Sequence, residues 1–326
     1  MSAGLWTAFL VNFLFWTGTA AGALALAALL DLTGARWAGP LRVTAKRFHR
    51  FLPLAVVLYV VLLIGAHTIY PWIERPVGSA WLRFWPFVIR DIAALAGVAA
   101  AATWFCARSN RARAERRDGE TVAVAATVVF LIAYAVGFSV LTIDLVMSLA
   151  PPFGSTLFPA YLCTANVYAA IAAVALATRW SGPHGEAALT EDRTCDLANL
   201  LLGFALLWMY LVWSQFLVIW YGNLSDEVEY LARLLYGRWW SLAVAIWAAR
   251  FVLPFLVLLP RVGKRRTPVL VVAAAVAAGF WGECFLLVTP AASGTPSTWG
   301  AAAITAAFFV LFAVSTRPAG IQNSEF

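Results

Sequence analysis

The chain reads as a succession of apolar runs, each about twenty residues long, parted by short polar segments. Nine such runs fall at roughly 5–30, 51–72, 84–107, 122–148, 155–178, 197–221, 239–259, 268–289 and 298–315. At about 1.5 Å of rise per residue, a helix of that length crosses the ~30 Å hydrocarbon layer of a bilayer. Helix is the form to expect, because a loop or an open sheet edge leaves backbone N–H and C=O groups unsatisfied in lipid. The pattern predicts an all-α, polytopic membrane protein of about nine transmembrane helices.

Composition strengthens that reading. Of 326 residues, 63% are hydrophobic and 12% charged, and mean hydropathy is +0.82; a soluble domain carries about 25% charged residues. Sixteen tryptophans suit a chain whose indoles sit at the headgroup boundary. The formal charge of +7 marks topology and not nucleic-acid binding, because the basic residues lie in short segments between the runs. Segments after odd-numbered runs, with the C-terminal tail, hold 17 Lys and Arg, whereas the N-terminus and the segments after even-numbered runs hold 4. The positive-inside rule then sets the N-terminus outside and the C-terminus in the cytoplasm. The arginine-rich stretch 108–117 fits a cytoplasmic loop lying against anionic membrane lipids. No cleavable signal peptide is expected, since no basic region precedes the first apolar run.

Charges inside the runs carry the chemistry, because each costs ~2.5–3.5 kcal/mol or more at mid-bilayer. They are His67, Arg90, Asp91, Asp144, Arg250 and Glu283. Asp144 is followed seven residues later by Pro151, and Glu283 seven residues later by Pro290. Those acids lie in the fourth and eighth runs, and the preceding runs carry Arg90 and Arg250. The spacing predicts two parallel four-helix bundles, over 1–150 and 151–290, each with an arginine and an acid on adjacent helices. A peripheral helix and cytoplasmic tail take up 291–326. Two roles stay open for the pairs. They neutralise one another and lock the bundle, or they serve a proton relay or a quinone headgroup site, since carboxylates and histidine exchange protons. Arginine keeps its proton, so Arg90 and Arg250 are the expected counter-charges. Asp91 is expected at the headgroup level with Arg83. Ser214 and Gln215 form a polar pair near the end of the sixth run, suited to bonding across helices or to ordered water.

Other chemistry is poorly provided for. A bis-histidine haem needs two histidines on facing helices; only His67 lies well inside a run, with His49 at an edge and His184 in a loop. Cys106, Cys163, Cys195 and Cys284 are too scattered for an iron–sulfur cluster and read as small hydrophobes. The sequence has no phosphate-binding glycine loop. The chain is therefore expected to bind no redox cofactor and no metal. Gly18 and Gly22 form a G-x-x-x-G suited to a subunit interface.

Several stretches carry a resemblance. Leu141-Thr-Ile-Asp144-Leu-Val-Met147-Ser148-Leu149-Ala150-Pro151, running on to Ser155-Thr156, resembles the helix-four motif of NrfD-like (PsrC-like) membrane subunits. More narrowly it is similar to the ActF type, the second such subunit of alternative complex III. Ser214-Gln215-Phe-Leu-Val-Ile-Trp220-Tyr221-Gly222-Asn223-Leu224 is similar to that subunit's most characteristic run, and Phe13–Gly18, Leu32–Trp37, Tyr70–Trp72 and Phe251–Phe255 fit as well. The resemblance implies a cofactor-free subunit of a quinol:electron-acceptor (cytochrome c) oxidoreductase in the respiratory chain, structural and a candidate proton route, with quinol at or near it. Implied partners are a related quinol-binding NrfD-like subunit, a periplasmic iron–sulfur protein, and multihaem and monohaem c-type cytochromes, which hold the haem c and the clusters. The residues carried over are Asp144, Ser148, Ser214 and Gln215, with Arg90; Glu283 and His67 join them as proton-path candidates on position alone. Relatives usually have Trp where Leu145 stands and an acid where Ala150 stands. They commonly have ten spans, and the motif of their second helix falls here in the first run. A stand-alone secondary transporter built from parallel repeats is the alternative.

Overall fold

A computed structural model describes residues 2–75, 77–115, 120–151, 153–180, 189–224, 227–230, 232, 237–291 and 298–317. His184, the end of the arginine-rich stretch at 116–117 and the last nine positions of the tail, 318–326, lie outside the described residues. The helices are α1 (Ala3–Leu32), α2 (Gly39–Ile64), α3 (Phe84–Glu115), α4 (Glu120–Leu145), α5 (Phe158–Arg179), α6 (Glu191–Gly222), α7 (Gly237–Leu258), α8 (Arg266–Val288) and α9 (Thr298–Ser315). Among the described residues there is no strand, and eight helices are long and apolar enough to cross a bilayer. The ninth, α9, is apolar but shorter and packs along α1. This is a multi-pass, all-helical membrane protein.

Neighbours close two rings. α1 packs on α2, α2 on α3, α3 on α4, and α4 returns to α1; α5 packs on α6, α6 on α7, α7 on α8, and α8 returns to α5. The rings meet where α1 lies along α5 and α8, and α4 along α5. Side-chain size explains who sits in the middle. Positions 18–28 of α1 are almost all Gly, Ala and Thr, so five neighbouring helices can approach it, and 83% of its apolar window is buried. α6 instead turns Tyr210, Trp213, Val218 and Trp220 outward, and only 22% of its window is buried. Such bulky exposed apolar faces are unfavourable in water but belong against lipid tails.

The Gly18–Gly22 pair serves this interior and not a face between subunits. A methyl group added at Gly18 would strike the Asn166 side chain, and one at Gly22 the Asn166 backbone carbonyl on α5. The glycines let α1 and α5 touch backbone to side chain at Gly18 and backbone to backbone at Gly22.

Two helices end earlier than their apolar runs, and a short turn leading to a proline follows each. The second run continues to position 72, yet α2 stops at Ile64, a short turn of helix follows over Ala66–Ile69, and Tyr70 is extended at φ −107°, ψ 99°. Tyr70 precedes Pro71, whose ring disfavours the helical conformation in the residue before it. Likewise α4 stops at Leu145 and gives way to a tighter turn over Met147–Leu149, with Ala150 out of the helical region at φ −127°, ψ 77° ahead of Pro151.

Gly22→Leu is expected to lower the unfolding temperature in detergent, because overpacking a close helix contact costs about 1–3 kcal/mol. Gly203→Leu on the open face of α6, where nothing lies within 4 Å of an added methyl, is the control and leaves it unchanged within error.

Candidate functional site

Two buried arginine–carboxylate centres lie at the end of the bundle where α4 and α8 finish. The first belongs to α3 and α4. Arg90 donates from Nε to Asp144 Oδ2 at 2.6 Å, and the indole of Trp81, in the segment before α3, donates to Asp144 Oδ1 at 2.7 Å. The Arg90 guanidinium lies over the Trp81 ring, 3.8 Å from its centre, so one tryptophan both fixes the acid and covers the arginine. Asp144 is fully buried, whereas the Arg90 side chain remains 20% exposed. Ser148 donates to the Asp144 backbone carbonyl one turn back, at the frayed end of α4, and Tyr70 donates to the Leu145 carbonyl at 3.2 Å. Those are carbonyls the ending helix leaves without partners.

Asp91, one residue after Arg90, is also fully buried and accepts from Tyr59 on α2 at 2.9 Å. Its carboxyl is close enough to Asp144 to interact directly. The expectation that Asp91 sits at the headgroups with Arg83 is corrected here, since Arg83 is exposed and Asp91 is not. The reason is the stripe it occupies: Phe87, Asp91, Leu95, Val98 and Ala102 recur at helical spacing, and all face the interior. The first centre therefore holds two carboxyls and one guanidinium.

The second centre joins α7 and α8. Arg250 and Glu283 are in direct contact, both almost wholly buried. Glu283 Oε1 also accepts from Tyr161 on α5 and, at 3.0 Å, from the Trp208 indole on α6, so all four helices of the second ring meet at this acid. The Arg250 guanidinium is caged by the faces of Tyr168, Trp208 and Phe280, at 5.2, 4.8 and 5.1 Å from the ring centres, and donates to the Ala165 carbonyl at 3.3 Å. Gly279 makes the room: a methyl there would come within 2.7 Å of Arg250 Cγ. Helix α7 widens into a π turn over Ala248–Val252 around the arginine. Pro254 has no N–H to return to the carbonyl of residue 250, and that freed carbonyl accepts from Tyr168 at 2.9 Å.

The remaining sequence candidates are dispersed. His67 is exposed in the turn after α2, its ring tilted against Phe84 with centres 5.5 Å apart, and joins neither centre. Gln215 accepts from Ser155 at 2.7 Å, tying α6 to the segment ahead of α5, and lines a cavity that reaches Glu283; Ser214, half-buried beside it, does not line that cavity. The Gly222-Asn223 end of the same run is a helix stop, with Asn223 at φ 46° and its N–H returned to Ile219. The cysteines are free, with Cys106 and Cys284 buried.

Sequence reasoning missed Trp81, Trp208, Tyr59, Tyr161 and Tyr168, because nothing in spacing distinguishes an indole that bonds a carboxylate from one in the aromatic belt. It also missed a polar cluster at the opposite face, where Asp31 at the end of α1 accepts from Arg42 at 2.9 Å, Lys46 at 2.6 Å and Ser109 at 2.9 Å. No protein-family model matches the chain, and no curated protein is significantly similar to it in sequence.

Removing one partner of a buried pair strands a charge at a cost of about 3–5 kcal/mol, whereas replacing both with apolar groups avoids that penalty. Glu283→Leu alone should therefore unfold at markedly lower denaturant than Arg250→Met/Glu283→Leu together. A double variant as unstable as the sum of its single changes contradicts the pairing.

Proposed function

We propose that this chain is an integral, non-redox subunit of a quinol:electron-acceptor oxidoreductase of the alternative complex III kind, similar to the NrfD-like ActF type. It works there beside a related quinol-binding subunit, an iron–sulfur protein and c-type cytochromes. The observation that supports this reading best is the duplicated centre: an arginine on the third helix of each ring bonded to an acid on the fourth, each acid also taking a tryptophan indole. The centre in the first ring is built on the same Asp144–Ser148 stretch that resembles the family's helix-four motif. The basic segments support an orientation in which the end of the bundle that holds both centres is periplasmic, with the N-terminus there and the C-terminus in the cytoplasm.

The two centres divide the work. Arg250 and Glu283 balance one another, are sealed from water and tie four helices together, which is a structural assignment. Arg90 bonds Asp144, and Asp91 is buried beside it, so two carboxyls stand against one guanidinium and one proton held between them makes the group neutral in a low-dielectric interior. That proton is exchangeable through the partly exposed Arg90 side of the centre. The first centre is thus the proton-carrying one. Ser148 holds the Asp144 backbone and takes no part in the transfer.

Solubilising the tagged chain in mild detergent from its native membrane should bring down partners that stain for covalently bound haem. Recovery of the chain alone overturns the assignment to a complex and selects the stand-alone transporter. In the intact complex, Asp144→Asn should keep assembly and quinol turnover while reducing proton release; unchanged release removes Asp144 from the proton route.

A further inference from the structure

We propose that a single water molecule binds in the seam between the two rings and bridges Thr17 on α1 to Asn166 on α5. A cavity of about 20 Å3 lies there, where α1, α4, α5 and α8 meet. A void needs roughly 10–15 Å3 to hold one water. This one therefore has room for a water but not for an organic ligand, whose sites start at about 300 Å3.

Its position follows from the duplicated plan of the chain. On the fourth helix of each ring, the residues lining the void include equivalent positions. Leu141 and Phe280 each stand three residues before the acid of their ring, and Leu145 and Cys284 each stand one after it. Thr17 and Asn166 come from the first helix of each ring. The void thus marks where the two rings meet back to back.

The polar groups decide that it is wet. Thr7, Thr127 and Thr142 are buried, and each donates its hydroxyl to the carbonyl four residues earlier, at 3.0, 2.7 and 2.6 Å. Thr17 is equally buried, at 2%, yet its hydroxyl makes no hydrogen bond among the described residues, and the residue lines the cavity. A buried hydroxyl without a partner is costly. Asn166, also 2% exposed, brings an amide with donors and an acceptor, and Thr142 Oγ1 keeps lone pairs to accept with. Three polar groups on three helices match the roughly three hydrogen bonds that a buried water makes.

Other occupants fit poorly. No charged side chain lines the void, so nothing there replaces the hydration shell of an ion. A void lined by apolar groups alone stays dry, whereas these hydroxyls and the amide favour water. The water joins the rings through Thr17 and Asn166, which do not hydrogen-bond each other directly. The site stands whether or not the chain belongs to the proposed complex.

The direct test is an experimental structure of the full chain in lipid nanodiscs, at a resolution that shows ordered water. A density peak is expected within hydrogen-bonding distance of both Thr17 Oγ1 and the Asn166 amide, retained in Thr17→Ser and lost in Thr17→Val. An empty void, a Thr17 hydroxyl turned onto the Phe13 carbonyl, or a peak that survives Thr17→Val overturns the site. Unfolding temperature gives a second reading, in which the two cases differ in sign. Valine keeps the shape of threonine without its hydroxyl, so it removes a bond if water is bound and relieves an unmet donor if the void is dry. Thr17→Val should unfold about 2 °C below the unsubstituted chain. An equal or higher unfolding temperature contradicts the bridge.

Discussion

A guanidinium or a carboxylate cannot be left alone among hydrocarbon, and most of this structure follows from meeting that requirement twice. The cost of one uncompensated charge at mid-bilayer, ~2.5–3.5 kcal/mol or more, is comparable to a large share of what holds a helix bundle together. Arg90 and Arg250 therefore decide which helices must be neighbours, because each has to reach an acid on the next helix along the chain. Local structure bends to serve the pairs. Gly279 is small where Arg250 passes, α7 opens a π turn around it, and Tyr168 occupies the carbonyl that Pro254 leaves free. At the first centre, Trp81 folds back from outside α3 to bond Asp144 and cover Arg90 in one placement.

The centres are alike in plan and different in balance. Around Glu283 the positive and negative charges match, and the side of the acid left unpacked faces a largely apolar cavity. Around Asp144 a second acid, Asp91, upsets the match, and the arginine keeps a partly exposed edge. A matched, sealed pair resists change in protonation, whereas a mismatched one with a path outward can exchange a proton without stranding charge. On the proposed function, stability and proton exchange are in this way separated between two rings of similar construction.

The membrane class, the nine apolar segments and the arginine–acid partners were legible in the sequence, because hydrocarbon length and charge pairing act through residue type and spacing alone. The helix ends were read too far, since the apolar runs continue past Ile64 and Leu145 while the helices give way there to short turns ahead of Pro71 and Pro151. Asp91 was misplaced although its stripe with Phe87, Leu95 and Val98 is visible in the sequence; its nearness to Arg83 outweighed the periodicity. Gly18 and Gly22 signalled a close contact but not with which partner, and the answer, Asn166 on α5, depends on how the two rings meet. Tyrosines and tryptophans were the least legible, because the same residue types line lipid, cavity and charge alike.

The claim on which the account turns is that the first centre carries a proton on a carboxyl and the second does not. Infrared difference spectroscopy of the purified protein across H2O–D2O exchange measures this directly through the C=O stretch of a protonated carboxylic acid. The account predicts such a band, shifted by deuterium, lost or displaced in Asp91→Asn and Asp144→Asn, and untouched in Glu283→Gln. A band that vanishes only in Glu283→Gln, or no exchangeable carboxylic acid band in the unsubstituted protein, would contradict it.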